Sequence, residues 1–156
     1  MVREEFCGLQ AKQLLSRFGI TSPPVDVEAI ASRCGLAVDY VDLPDGFSGQ
    51  LRRERRVIQA NQAHHPHRQR WTIAHELGHY VLGHDAVLFV GDTQELGDPR
   101  KFNDREADIF AANLLMPAEW IKDDWITTNN YKDLARLYWV SGEAITRRLL
   151  ALKLLD

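Results

Sequence analysis

The chain has only two cysteines, Cys7 and Cys34, among 156 residues. They form no C-x-x-C pair and are too few for a disulfide framework. A thiol-bound structural metal, a redox dithiol and a stapled scaffold are therefore excluded, and two reduced thiols are expected. Long apolar runs are also missing. The richest stretch, residues 149–155, is short and interrupted by Lys153, which excludes a membrane span. No apolar segment follows Met1-Val2-Arg3-Glu4-Glu5, so no signal peptide is expected and the default location is cytoplasmic. There is no surplus of positive charge: 19 basic residues stand against 22 acidic ones, a net charge of -3. That balance disfavours nucleic acid as the main partner. No internal repeat and no low-complexity linker divides the chain, so one domain over 1–156 is expected.

What is present suits a soluble globular protein. Hydrophobic residues make up 45% and charged residues 26%, and the length allows an ordinary core. Residues 6–18 read as a helix ended by Gly19, with Leu14, Leu15 and Phe18 at helical spacing. Asp26 is a suitable N-cap for a short helix through Val27, Ile30 and Ala31, stopped near Gly35. Residues 36–41 read as a strand, Pro44-Asp45-Gly46 as a turn, and 47–51 and 56–60 as a hairpin. The charged run Arg52-Arg53-Glu54-Arg55-Arg56 falls at its tip, where solvated charge is the expected reading. A strong helical pattern starts near Trp71 and closes at Gly83. A Gly/Asp/Pro-rich loop covers 91–99, and a second apolar helix runs from about Asp104 to Met116, broken by Pro117. Helices separated by turns at 127–130 and 140–142 complete the chain. The layout is α+β: a small early three-stranded sheet, then helices.

The chemistry concentrates in His75-Glu76-Leu77-Gly78-His79, an H-E-x-x-H pattern on a helix. Residues four apart lie one turn above each other on the same face, so both imidazoles can reach one ion. Ile73, Ala74, Leu77, Tyr80 and Val81 gather on one side and can pack on the sheet, while His75 and His79 fall on the other and can face a cleft. Glu76 sits about 100° away, near enough to reach a metal-activated water. A catalytic zinc takes three protein ligands and keeps a position for water, and Glu76 suits the general base.

Spacing leaves the third ligand open. Asp85 lies six residues after His79, but the glycine that should precede it falls one place late, and His84 is one short of that slot. Both read as ordinary loop residues. The later helix offers Asp104, Glu106 and Asp108 around a buried stripe of Phe110, Ala111, Leu114 and Leu115. Periodicity does not choose among the three.

The segments RQRWTIAHELGHYVLGH (68–84) and READIFAANLLMP (105–117) resemble the ImmA/IrrE metallopeptidases. PVDVEAIASRCGL (24–36) and VIQAN (57–61) match more weakly. The resemblance implies a zincin-like fold and one zinc held by His75, His79 and Glu106. It implies that the strand near 57–60 lies along the cleft, where a substrate strand could pair with its edge. It also implies endopeptidase activity on a separate helix-turn-helix repressor, with relief of repression. Trp71 stands where the family often has phenylalanine.

Other features carry less. His64-His65-Pro66-His67 reads as a solvated loop. His67, Arg70, His84, Tyr80 and Tyr131 could stabilise an oxyanion, and nothing in the sequence selects one. Asp108 and Asn113 are within reach of the histidine Nδ1 atoms. Within the helical part 120–156, residues 134–146 resemble a helix-turn-helix core with Ser141 as its second cap. The leucine-rich face behind it favours a structural or repressor-docking role over DNA binding. The alternative to a peptidase is a non-catalytic repressor- or DNA-binding regulator using these helices.

Overall fold

The computed structural model describes residues 1–84 and 99–155. Among them are seven α-helices and one three-stranded sheet: α1 (Glu4–Arg17), α2 (Val27–Arg33), β1 (Ala37–Val41), β2 (Gly49–Arg52), β3 (Val57–Asn61), α3 (Pro66–Val81), α4 (Pro99–Leu115), α5 (Ala118–Thr128), α6 (Tyr131–Tyr138) and α7 (Gly142–Ala151). This is the expected α+β layout, with the sheet early and most helices late.

Local signals account for many of the boundaries. Asp26 accepts from the Ala29 amide at 3.0 Å and starts α2. The Phe47 amide reaches Pro44 O at 3.1 Å, closing the turn whose Gly46 has φ +90°. Ser141 accepts from the Ala144 amide at 3.0 Å and starts α7. The helix of the H-E-x-x-H motif begins earlier than its apolar periodicity suggests. Pro66 takes the first turn, where its missing N–H costs nothing, and the His65 ring accepts from the His67 amide at 3.0 Å. His64 and His65 thus lie in the expected loop, with His65 as the cap, while Pro66 and His67 already belong to the helix.

The sheet order is β1-β3-β2, with β1 parallel and β2 antiparallel to β3. This corrects one expectation. β3 is the central strand, paired on both sides, so its edge cannot receive a substrate. Among the described residues β2 has one strand partner, and its pairing directs the Leu51 amide away from β3 and towards Glu76. Gly49 lets β2 lie against α3, because a Cβ there would sit 2.3 Å from Gln59 O and 2.5 Å from Thr72 Cγ2.

The core forms where α3 meets the sheet on one side and α4 on the other. Ile73, Ala74 and Leu77 of α3, Ile58 and Ala60 of β3, and Phe110, Ala111, Leu114 and Leu115 of α4 are all fully buried. α4 packs between α3 and α1. The buried Arg70 guanidinium joins α3 to distant segments, donating to Val25 O (2.6 Å), Trp139 O (3.0 Å) and Tyr138 O (3.2 Å). It thereby satisfies three carbonyls, two of them at the turn between α6 and α7.

Candidate metal centre

Gly78 decides how α4 meets α3. A Cβ at this position would lie 3.0 Å from Phe110 Cδ1 and 3.3 Å from both Ala107 Cα and Ala107 O. Glycine on one helix and alanine on the other allow the two backbones to approach closely. Asp104 and Asp108, four residues apart, flank Ala107 on α4. They meet His75 and His79, four residues apart on α3.

Three of these side chains converge. His79 Nε2 lies 3.1 Å from His75 Nε2 and 3.0 Å from Asp104 Oδ1, and His75 Nε2 lies 3.5 Å from Asp104 Oδ1. Metal–nitrogen bonds of ~2.0–2.1 Å in tetrahedral geometry separate neighbouring ligand atoms by about 3.3 Å, so the triangle has the size of one tetrahedral face. Without a metal, ring N–H groups bridge these atoms to Asp104, and a bound cation would take the place of those protons. The donor set fits a borderline divalent ion such as zinc.

The other ring nitrogens are also held. His75 Nδ1 lies 2.8 Å from Asp108 Oδ1. His79 Nδ1 lies 2.9 Å from His84 Nδ1, and His84 Nε2 lies 2.8 Å from Glu106 Oε1. Glu106 in turn accepts from Arg3 through the amide (2.8 Å), Nε (2.9 Å) and Nη2 (2.8 Å). The resemblance implied Glu106 as the third ligand, but the structure places it away from the histidine pair. It lies two residues beyond Asp104, about 200° around α4, and so faces α1 and Arg3. Asp104 is the carboxylate that stands within reach of both histidines.

His84 reaches its place through the end of α3. Gly83 has φ +71°, its amide donates to Tyr80 O (3.3 Å), and the His84 amide donates to His79 O (3.0 Å). This paired pattern is a Schellman motif, which lays the residue after the glycine over the one five places back. Arg53 then donates from Nη2 to both His79 O and His84 O, each at 2.7 Å. The 52–56 run is therefore only partly the solvated hairpin tip expected: Arg53 holds the C-terminal carbonyls of α3, where a cation is also favoured by the helix dipole.

The electrostatics follow from these contacts. Burial works against charge on His75, but hydrogen bonds to Asp104 and Asp108 outweigh it and push the metal-free imidazole up to about 9. Hydrogen bonds from His75 and His79 hold Asp104 well below the usual carboxylate range. Arg3 above all, with help from His84, holds Glu106 down to about 2. Burial pushes Glu76 up, partly offset by His75, His79 and the Leu51 amide. Burial lowers His84, partly offset by its hydrogen bond to Glu106.

Sequence reasoning missed Arg3, set His84 aside as a loop residue and left Asp104 undecided. The signal for Asp104 and Asp108 was their spacing, which repeats that of the two histidines. Asp85 lies outside the described residues, as does the proposed loop apart from Pro99, which belongs to α4. Asn113 serves α7 instead, accepting from Arg148 Nη2 at 3.0 Å.

The Peptidase M78 family model, described as the IrrE N-terminal-like domain, matches residues 33–150. The chain belongs to this family. The match takes in α3, α4 and the whole histidine–carboxylate cluster, so the chain is a metallopeptidase-like domain of the IrrE type. A solved structure, a Mycobacterium tuberculosis transcriptional regulator, superposes with a TM-score of 0.68 at 18% identity. The superposition covers 92% of this chain and 46% of that one, so the chain spans less than half of the neighbour's length. At that identity the likeness speaks for the fold alone. No functionally curated protein matches the sequence. Among the described residues, no helix is long and apolar enough to cross a membrane.

Proposed function

We propose that this domain is a zinc-dependent endopeptidase whose metal is held by His75, His79 and Asp104, with Glu76 as general base. The observation that carries the reading is the convergence of two Nε2 atoms and one carboxylate oxygen within 3.5 Å, beside the half-buried Glu76. A divalent ion bound there supplies a Lewis acid for the scissile carbonyl and for an attacking water.

The chain's own groups supply the rest. Glu76 takes a proton from the attacking water and returns it to the leaving amine nitrogen. Burial raises its proton affinity towards the range where both transfers are efficient. Asp108 orients the His75 ring through Nδ1, so that Nε2 faces inward. β2, not β3, offers the edge nearest Glu76 on which an extended peptide could be laid.

The substrate we propose is a helix-turn-helix transcriptional repressor, cleaved at one site in the cytoplasm. Family resemblance supports this. The alternative, direct DNA binding through α6 and α7, is less well supported. Arg147 pairs with Glu143 (2.7 Å) and Arg136 with Asp133 (3.0 Å), while Arg148 turns inward to Met116 O (2.9 Å).

The test is co-incubation of the zinc-loaded protein with a co-encoded repressor, with fragments read by mass spectrometry. Wild type should cut at one site. Glu76→Gln should bind zinc normally and lose cleavage by about 10²–10⁴-fold. Equal cleavage by both proteins would remove Glu76 from the mechanism, and absence of stoichiometric zinc in the wild type would overturn the metal reading.

A further inference from the structure

A groove runs along α4 from the metal centre and is lined also by residues of α1 and α7. Asp108 belongs to both places: the side chain that orients His75 also lines the groove. Trp71 lines it from α3, four residues before His75 and so on the same helical face. Leu9, Ile109, Ala112 and Trp120 extend this apolar wall, and none of the five is fully buried.

The groove also holds a charge that the fold does not match. Arg148 of α7 is half-buried in it. Its Nε donates to Met116 O (2.9 Å) and its Nη2 to Asn113 Oδ1 (3.0 Å), both neutral acceptors. The carboxylates along the groove are engaged elsewhere: Glu143 with Arg147 (2.7 Å), Asp108 with His75 (2.8 Å), Glu119 with Lys12 (3.5 Å) and Glu4 with Arg105 (3.9 Å). Glu5 lies at the metal end, because α1 runs alongside α4 with Arg3 against Glu106 and Gly8 against Asn113. Among the described residues no carboxylate pairs with Arg148. Burial alone lowers it, to about 10, so it stays charged near neutral pH.

Its position sets a distance. Asn113 and Met116 follow Asp108 by five and eight residues, about 8 and 12 Å along the helix. The guanidinium held by both therefore stands roughly 10 Å from Asp108, which an extended chain covers in about three residues.

We propose that this groove receives the substrate chain on one side of the cleaved bond, and that Arg148 binds an aspartate or glutamate side chain about three residues from that bond. The proposal rests on the peptidase reading above and deepens it into a sequence preference. The carboxylate would accept from guanidinium N–H groups not used by Met116 and Asn113, a charge-assisted contact in a half-buried place. Trp71 and Ile109 would hold the apolar residues between.

The experiment offers the zinc-loaded full chain a synthetic peptide library, acetylated and amidated at its ends, with cuts read by mass spectrometry. Acidic residues should be enriched at one position about three residues from the cut. Glutamine at that position should lower kcat/KM by about tenfold, mainly through KM. Arg148→Met keeps the aliphatic stem, and it should cut the glutamate and glutamine peptides equally well, whatever its overall rate. Cleavage by the wild type without acidic preference, or a preference that survives in Arg148→Met, overturns the proposal. So does a preference seen only in peptides with free C-termini, which would assign the arginine to a terminal carboxylate.

If Arg148→Met does not fold, the Arg148 side-chain nitrogen-15 resonance in Glu76→Gln reads the same contact. It should move with the glutamate peptide and not with its glutamine twin; equal behaviour overturns the proposal. A wild type that cuts no peptide defeats the peptidase reading but leaves the groove decidable. Fluorescence of Trp71 and Trp120 then reads binding of an alanine–leucine peptide carrying one glutamate, against its glutamine twin. Binding about tenfold tighter with glutamate upholds the Arg148 contact, and equal binding overturns it.

Discussion

Replacing Gly78 by alanine sets two effects of known size against each other. In an isolated helix the change gains about 1 kcal/mol. Here the new Cβ would lie 3.0 Å from Phe110 Cδ1 and 3.3 Å from Ala107 Cα and O. Comfortable carbon contacts begin near ~3.5 Å, and two of these neighbours are backbone atoms that cannot rotate away. Phe110 is fully buried and has nowhere to turn. α4 must therefore withdraw by a few tenths of an ångström, at an overpacking cost of roughly 1–3 kcal/mol. The net change in stability is about 0–2 kcal/mol, or roughly 0–8 °C in melting temperature for a chain of this length. The same withdrawal carries Asp104 and Asp108 away from the histidines. Metal sites tolerate only about 0.2 Å of misplacement, so zinc affinity should fall by at least about tenfold. Melting of the zinc-free variant and a competitive zinc titration read the two effects separately. A variant that gains the full helix-propensity term and binds zinc like the wild type would refute the view that Gly78 sets the α3–α4 distance.

Two further outcomes follow from the same contacts. In the zinc-free protein His75 is raised to about 9, so its contribution to stability is complete below the unfolded value near 6.5 and is lost as pH rises through 9. Urea midpoints of the zinc-free protein should decline across that window, and a flat profile would count against the His75–Asp104–Asp108 contacts. Arg70→Met leaves three carbonyls without their donor and should cost about 3 kcal/mol or more, lowering the melting temperature by roughly 6–12 °C; a shift under about 2 °C would mean that the clamp on the α6–α7 turn is dispensable.

Much of the site was legible before any coordinates, because helical spacing is a geometric statement. His75 and His79 share a face for the same reason that Asp104 and Asp108 do, and Ile73, Ala74 and Leu77 lie in the core as their periodicity requires. The acidic segment of α4 resisted a choice because the question assumed one useful carboxylate. The structure uses all three differently: Asp104 faces the histidine pair, Asp108 orients His75, and Glu106 reaches His79 through His84. Long-range partners were invisible for a different reason. Arg3 is 103 residues from Glu106, and no local pattern marks a residue at the start of α1 as its counter-ion. Strand order was also beyond local signals, since a hairpin pattern does not reveal that a third strand pairs with its second arm. His84 was the recoverable miss. A glycine ending a helix folds the next residue back over the last turn, and here that turn contained a histidine.

The central claim is the identity of the atoms that face the metal, and a crystal structure of the zinc-loaded protein tests it most directly. The account predicts one ion bound by His75 Nε2, His79 Nε2 and Asp104 Oδ1 at about 2.0–2.2 Å, with Glu106 still held by Arg3 and His84. An ion ligated by the Glu106 carboxylate, with the Arg3 pairing broken and Asp104 turned to solvent, would contradict it.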